Sequence, residues 1–208
     1  TGENKMKKYF LDSGANIGQS AKAFTRNTPD AKDYKIVCFE ASKKDKLKKK
    51  LKQVVKSLQK EGYDVEIINK VVHTCNGVIK FYDMGTESSS IDKAKNGVNK
   101  TKKVKADCFD FSEYIFSLPE DAYIEMKLDI EGSEYPVVDH LHSTGALAKI
   151  SKVYIELHAA KISNKKIEDD FKLVEQLADF NLESRTWNGN RQPPAGGVWT
   201  KDKIIKEW

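Results

Sequence analysis

Short apolar runs alternate along the chain with segments whose apolar residues recur every three or four positions. That alternation predicts a parallel sheet covered by helices on both faces. The runs at residues 8–13, 35–39, 65–69, 122–128 and 153–157 read as strands. Residues 17–26 read as a short helix ending before Pro29, and residues 43–60 place Leu47, Leu51, Val54 and Leu58 on one stripe, with Gly62 as the stop. Further helices are predicted at 112–118, broken by Pro119, at 134–147, and at 166–180, where Ile167, Phe171, Val174 and Leu177 share a face. After Gly77, residues 78–83 suggest a hairpin-like excursion, and residues 84–103, polar and without periodicity, read as a lid-like loop. At the end, 182–187 and 198–203 flank a Gly/Pro/Asn-rich turn and predict a closing antiparallel pair. The expectation is a single α/β domain over residues 1–208 with a seven-stranded, mostly parallel sheet and an antiparallel C-terminal strand.

Composition narrows the class. The 208 residues suit one domain, and 39% hydrophobic with 32% charged residues is ordinary for a soluble protein. No apolar stretch approaches the roughly 20 residues of a membrane helix, so a cytoplasmic protein without membrane contact is expected. The chain starts at Thr1 without a signal-peptide pattern, which suggests a portion of a longer protein. Cys38, Cys75 and Cys108 fit neither a disulfide framework nor a zinc knuckle and read as reduced thiols. All but three of the 36 basic residues are lysines, which argues against bidentate phosphate reading and for a solvated surface.

In open α/β sheets, ligands bind beyond the carboxyl ends of the strands, where the strand order reverses. The loop Asp12-Ser-Gly-Ala-Asn-Ile-Gly18 follows the first strand, Glu40 the second, Asp129 to Glu131 the fourth, and Glu156 with His158 the fifth. Glu40, about two dozen residues beyond the loop, is placed to accept hydrogen bonds from ribose hydroxyls. Asn16 stands where a dinucleotide loop needs glycine, and Asp12 repels phosphate but suits a cationic amino group. Together these point to S-adenosylmethionine.

The loop, together with Phe39-Glu40-Ala41, Lys127-Leu-Asp-Ile-Glu-Gly-Ser-Glu134 and Tyr154-Ile-Glu-Leu-His158, resembles the motif set of FkbM-type methyltransferases. The resemblance implies a Rossmann-like class I methyltransferase fold, S-adenosylmethionine as cofactor, and O-methylation of a sugar, glycan or related small molecule. Ala41 departs from the proline usual there. Carried over by position, Asp12, Gly14, Ala15, Asn16 and Gly18 would cradle the methionine half and Glu40 with Ala41 the ribose. Asn69 or Val71 would flank the adenine, with Asp107 and Asp129 as further cofactor candidates.

Methyl transfer to a hydroxyl needs positioning and removal of a proton. His158 is the first candidate base because an unperturbed imidazole titrates near neutrality. Asp129 is the second, with Glu131 or Glu156 orienting the ring and Lys127 beside them. Asp129, Glu131, Glu156 and His158 are also a possible set of divalent-metal ligands, ranked below metal-free catalysis. The plainer readings are that Gly14 and Gly18 serve a tight turn, that Lys127 and Asp129 form a structural ion pair, that His140 and His142 lie on a helix surface, and that Ser88 to Ser90 are plain loop. Two other functions compete: a nucleic-acid methyltransferase using the lysines of 43–60 and 93–105, and a non-catalytic nucleoside-binding module.

Overall fold

The computed structural model describes residues 6–83, 90, 103–187 and 197–207. In chain order the elements are β1 (Lys8–Ser13), α1 (Gln19–Asn27), β2 (Tyr34–Phe39), α2 (Asp45–Lys60), β3 (Asp64–Ile68), β4 (Val71–His73), β5 (Gly77–Tyr82), β6 (Lys103–Asp110), α3 (Phe111–Ser117), β7 (Tyr123–Leu128), α4 (Glu134–Thr144), β8 (Lys152–Ile155), α5 (Ile167–Ala178), β9 (Ser184–Thr186) and α6 (Lys201–Glu207). The principal sheet has six strands in the order β3-β2-β1-β7-β8-β9, all of its pairs parallel.

The strands are apolar on both faces because each face is covered. Phe10, Ile36, Cys38 and Val65 share one core with Ala21 and Phe24 of α1 and Leu51, Val55 and Leu58 of α2. Their neighbours in sequence Leu11, Val37 and Phe39 join a second core with Met126 and Leu128 of β7 and residues of α3, α4, α5 and α6. The two-residue alternation of strand side chains thus divides each strand between two helical layers. On α2 the buried stripe is Leu47, Leu51, Val55 and Leu58, whereas Val54 is only partly buried. Gly62 ends that helix region at a φ of 89°, where its amide donates to Gln59 O. Asp110 starts α3 by accepting from the amides of Ser112 and Glu113.

Three features differ from the pattern read in the sequence. A second sheet, in the order β4-β6-β5, holds the 78–83 segment as β5 and two strands that periodicity did not mark. β5 pairs antiparallel with β6, while β4 runs parallel to it, so the excursion is a small sheet with its own apolar cluster of Val71, Phe81, Ala106 and Cys108. The C-terminal antiparallel strand is replaced by a single bridge between Val198 and Arg185, after which Lys201–Glu207 is helical. The seven-strand count is therefore corrected to six in the principal sheet and three in the other. The physical reason lies in Ile204, whose side chain is buried in the core with residues of α3, α4 and α5: the segment makes that contact as a helix, while Val198 bridges the outer edge of β9. Most of the 84–103 loop, Lys93, Ser88, Ser89 and most of the Gly/Pro/Asn-rich turn lie outside the described residues; Ser90, within them, bridges Tyr82.

β1 is flanked by β2 and β7, so the strand order reverses between β1 and β7. The register sets Asp12 opposite both Cys38 and Lys127, and Ser13 opposite Phe39 and Leu128. The carboxyl ends of β2, β1, β7 and β8 consequently meet at one edge, with the Asp12–Gly18 loop, Glu40, Asp129 and Glu156 to His158.

Phe24 stacks on Phe10 with ring centroids 4.0 Å apart and meets Tyr34 edge-on at 5.0 Å. Phe24→Ala is expected to cost about 3–5 kcal/mol in urea unfolding. Lys56→Ala, on the exposed face of α2, is expected to stay within about 0.5 kcal/mol of the parent.

Candidate functional site

The strand-order reversal is closed by a buried lysine. Lys127 comes off β7 at 1% exposure, donates from Nζ to Gly14 O at 2.8 Å, and lies 3.3 Å from both Asp12 Oδ1 and Asp129 Oδ2. Burial alone would lower the pKa of this ammonium; the two carboxylates outweigh burial and hold it above the ordinary lysine value, so it stays charged. Ser20 Oγ donates to Asp12 Oδ2, and the indole of Trp187 lies 5.4 Å from Nζ. Asp12 is fully buried, so the cation it meets is the chain's own Lys127. Its expected direct contact with a cofactor amino group is corrected accordingly. Lys127 and Asp129 form the structural ion pair that their spacing allowed.

The glycine loop is likewise turned inward. The amides of Gly14 and Ala15 both donate to Phe39 O, that of Asn16 to Glu40 Oε2, that of Ile17 to Gln19 Oε1, and that of Gly18 to Ala15 O. The loop therefore offers a ligand its shape and carbonyl oxygens, while its amides hold the fold. Gly14 has φ 80°, and a Cβ there would lie 1.9 Å from the carbonyl oxygen of Asp129; at Gly18, φ 89°, it would lie 2.9 Å from Val54 Cγ1. Both glycines answer to close packing as well as to the turn.

At the end of β2, Glu40 is 9% exposed and accepts from Asn16 N and Ser42 N, each at 2.8 Å, one on each oxygen. Burial pushes its carboxyl up to about 7 against those two amides. Each oxygen keeps a lone pair for a further donor. The loop behind it is braced by Asp83, which accepts from Ser42 Oγ at 2.8 Å and Lys43 N at 2.7 Å. Asn69 reaches Glu40 O from the end of β3 at 3.4 Å. Ala41 and Val71 sit with the apolar cluster of the small sheet. Asp107 lies exposed in β6 of that sheet, opposite Val78.

Beyond β7 and β8 the chain builds an acidic cage around one imidazole. His158 is fully buried; its Nδ1 is 3.1 Å from Glu134 Oε1, and its Nε2 is 3.4 Å from Glu131 Oε2, 3.4 Å from Glu156 Oε1 and 3.9 Å from Asp129 Oδ1. Burial would lower its pKa, but Glu134, Glu156 and Glu131 raise it to about 10. The ring already carries its second proton at neutral pH, so its expected role as a base near neutrality is corrected. Glu156 is held down to about 2, against burial, by His158 and Lys161. Asp129 moves the other way: burial and the charges of Glu156 and Glu134 raise it despite Lys127. Sequence reasoning attached no role to Glu134, although it ends the Lys-x-Asp-Ile-Glu-Gly-Ser-Glu segment. Its Oε1 accepts from Ile130 N at 2.6 Å and its Oε2 from Gly132 N at 2.7 Å. Tyr135 was missed too: its hydroxyl accepts from His158 N at 2.9 Å and donates to Asp170 at 2.7 Å, tying the β8 end to α5. Nothing in local sequence pairs a helical tyrosine with an aspartate 35 residues later. His140 lies against Asp110 and Ser112, and His142 against Asp179, away from this cage.

Two substitutions test the junction. Gly14→Ala is expected to lose at least about 4 kcal/mol of unfolding free energy, because the strand β1–β7 contact must open. Lys127→Met leaves two carboxylates without their cation and is expected to cost about 3–5 kcal/mol, partly restored in the double variant with Asp12→Asn. A double variant whose loss in denaturant titration equals the sum of the Lys127→Met and Asp12→Asn losses would show that Lys127 and Asp12 are not coupled.

No family model matches the sequence, and no curated protein matches it. Among solved structures, the fold is similar to that of the methyltransferase FkbM from Methylobacillus flagellatus KT, with a TM-score of 0.51 at 13% identity. The match covers 84% of this chain and 38% of the other, so the chain spans well under half the length of that protein. The α/β architecture, with a six-stranded parallel sheet between helical layers, is thus similar in fold to that methyltransferase.

Proposed function

We propose that this chain is an S-adenosylmethionine-dependent O-methyltransferase acting on a hydroxyl of a sugar, glycan or related small molecule. The observation that carries the cofactor is Glu40. It is a carboxylate at the carboxyl end of β2, locked by two amides beside the point where the strand order reverses, and it keeps acceptor capacity for a ribose diol. The motif resemblance and the likeness in fold support the same reading. The acceptor side is the cage of Asp129, Glu131 and Glu156, whose side chains are 19%, 18% and 27% exposed while His158 is closed off. Transfer breaks the sulfur–carbon bond as the acceptor oxygen bonds the methyl carbon, with oxygen held about 3 Å from it beforehand. The hydroxyl proton leaves toward the carboxylates, since the imidazolium has no vacant site for it.

The nucleic-acid reading rests on α2, whose Lys46, Lys49, Lys50, Lys52, Lys56 and Lys60 are exposed opposite its buried stripe. No aromatic side chain interleaves with them within the helix, so a solvated face accounts for them. Among the described residues no helix is long and apolar enough to cross a membrane.

Saturating S-adenosylmethionine, at about 100 times its Kd, is expected to stabilise the fold by about 2.7 kcal/mol, read as a shift in Tm. Absence of both heat and stabilisation would remove the enzyme reading. Because the ionised carboxylate is the better acceptor, affinity is expected to rise as pH increases through about 7, the titration of Glu40, and to become flat in Glu40→Gln. Mass spectrometry of methyl transfer to sugars, glycans and RNA separates the acceptor classes.

A further inference from the structure

We propose that Cys75 and Cys108 are a redox-active thiol pair, oxidised to an internal disulfide by exchange with a low-molecular-weight disulfide of the glutathione kind. The pair lies on the small sheet, and the inference is independent of the methyltransferase reading.

The topology of the small sheet brings the two residues together. β4 and β5 lie on opposite sides of β6, and each is in register with Cys108, through Val71 on one side and Gly77 on the other. The connection from His73 to Gly77 therefore has to cross β6 near its carboxyl end, carrying Thr74, Cys75 and Asn76 over it. Adjacent strands lie about 4.8 Å apart, so the crossing covers roughly 10 Å and so short a connection has little slack. Both flanks of Cys75 are pinned. Thr74 N donates to His73 Nδ1 at 2.6 Å, Asp110 N donates to Asn76 Oδ1 at 3.1 Å, and Asn76 Nδ2 donates to Glu113 Oε2 at 2.6 Å. Held in this way, Cys75 has its thiol in hydrogen-bonding contact with that of Cys108.

The two sulfurs differ in access, and that difference sets the order of events. Cys75 is exposed, whereas Cys108 is buried in the cluster of Val71, Phe81 and Ala106. Burial, with Cys75 beside it, pushes the Cys108 thiol up, so Cys108 is the protonated member of the pair. In the first step the thiolate of Cys75 attacks one sulfur of the external disulfide, whose S–S bond breaks and releases one thiolate. A mixed disulfide is left on Cys75. In the second step Cys108 gives its proton to solvent, its sulfur bonds that of Cys75, and the other external thiolate leaves. The protein loses two electrons and two protons, and the external disulfide ends as two thiols. Because the second step joins two groups already held together, it outruns the return of the free thiol.

Cys38 provides the contrast. It is fully buried in the core that α1 and α2 cover, and burial together with Asp12 holds its thiol well above the ordinary value, so it takes no part in the exchange. The new bond ties the β4–β5 crossover to the middle strand of the small sheet. Ala41, the neighbour of Glu40, packs against the same apolar cluster as Cys108, so the tie braces the support behind the Glu40 loop.

The test equilibrates the purified, folded chain in buffers of graded reduced-to-oxidised glutathione ratio, traps it by acid and alkylation, and reads intact mass and peptide maps. As the buffer becomes oxidising, each chain is expected to lose the mass of two hydrogens with no glutathione retained. The map is expected to join the Cys75 peptide to the Cys108 peptide, with Cys38 alkylated only after denaturation. Excess dithiothreitol is expected to restore both thiols. Cys75→Ser is expected to abolish both the link and glutathione uptake, and Cys108→Ser to stop at one glutathione per chain, on Cys75. A melting curve on each variant confirms that it is folded, and the parent chain alone suffices if one is not. The inference is overturned if the folded parent keeps both thiols in fully oxidised glutathione, or if its Cys75 holds glutathione without passing it on. It is equally overturned if the link forms only in denaturant, if it engages Cys38, or if Cys75 joins two chains in place of closing on Cys108.

Discussion

The ammonium of Lys127 is the point on which the reversal of strand order depends. At the paired carboxyl ends of β1 and β7, Asp12, Asp129 and the Gly14 carbonyl converge on one buried cation. Such an arrangement is costly to desolvate and becomes tolerable only when each charge has a partner at short range. It also dictates sequence: Gly14 has no Cβ because the Asp129 carbonyl occupies the space, and Ser20 is polar because Asp12 needs a second donor. The glycine loop is thus shaped first by the packing of β1 against β7.

Held by that junction, the outer edge separates into two electrostatic compartments. On the β2 side Glu40 is braced by amides and raised by burial toward neutrality. On the β7–β8 side, four carboxylates surround one imidazole and hold it as a cation in the ligand-free chain. On the proposed reading, Glu40 serves the donor side and the acidic cage a short way along the same edge serves the acceptor side. The two are joined by Lys127, whose carboxylate partners belong to the first loop and to the cage.

Much of the principal sheet was legible from apolar runs because every one of its interior strands is buried on both faces, a demand that local composition records directly. β4 and β6 were not legible. β6 alternates exposed and buried positions over a lysine-rich stretch, and its apolar partners Val71 and Phe81 come from segments far away in sequence. The C-terminal segment misled for a related reason: a short apolar run at a chain end reads as a strand, but Ile204 finds its place in the core beside α5 as part of a helix.

The sequence by itself determined the parallel α/β plan, the placement of Glu40, and the gathering of Asp129, Glu131, Glu156 and His158 at the ends of strands, since these follow from hydrophobic period and from the rule that loops beyond strand termini share an edge. What each polar residue does there was decided by tertiary structure. Asp12 became the counter-ion of Lys127, and His158 became a buried cation, because both properties depend on charges brought within 4 Å by strands distant in sequence. Coulomb interaction and desolvation act on distances in space, and the order of residues along a chain carries those distances only once the sheet is assembled.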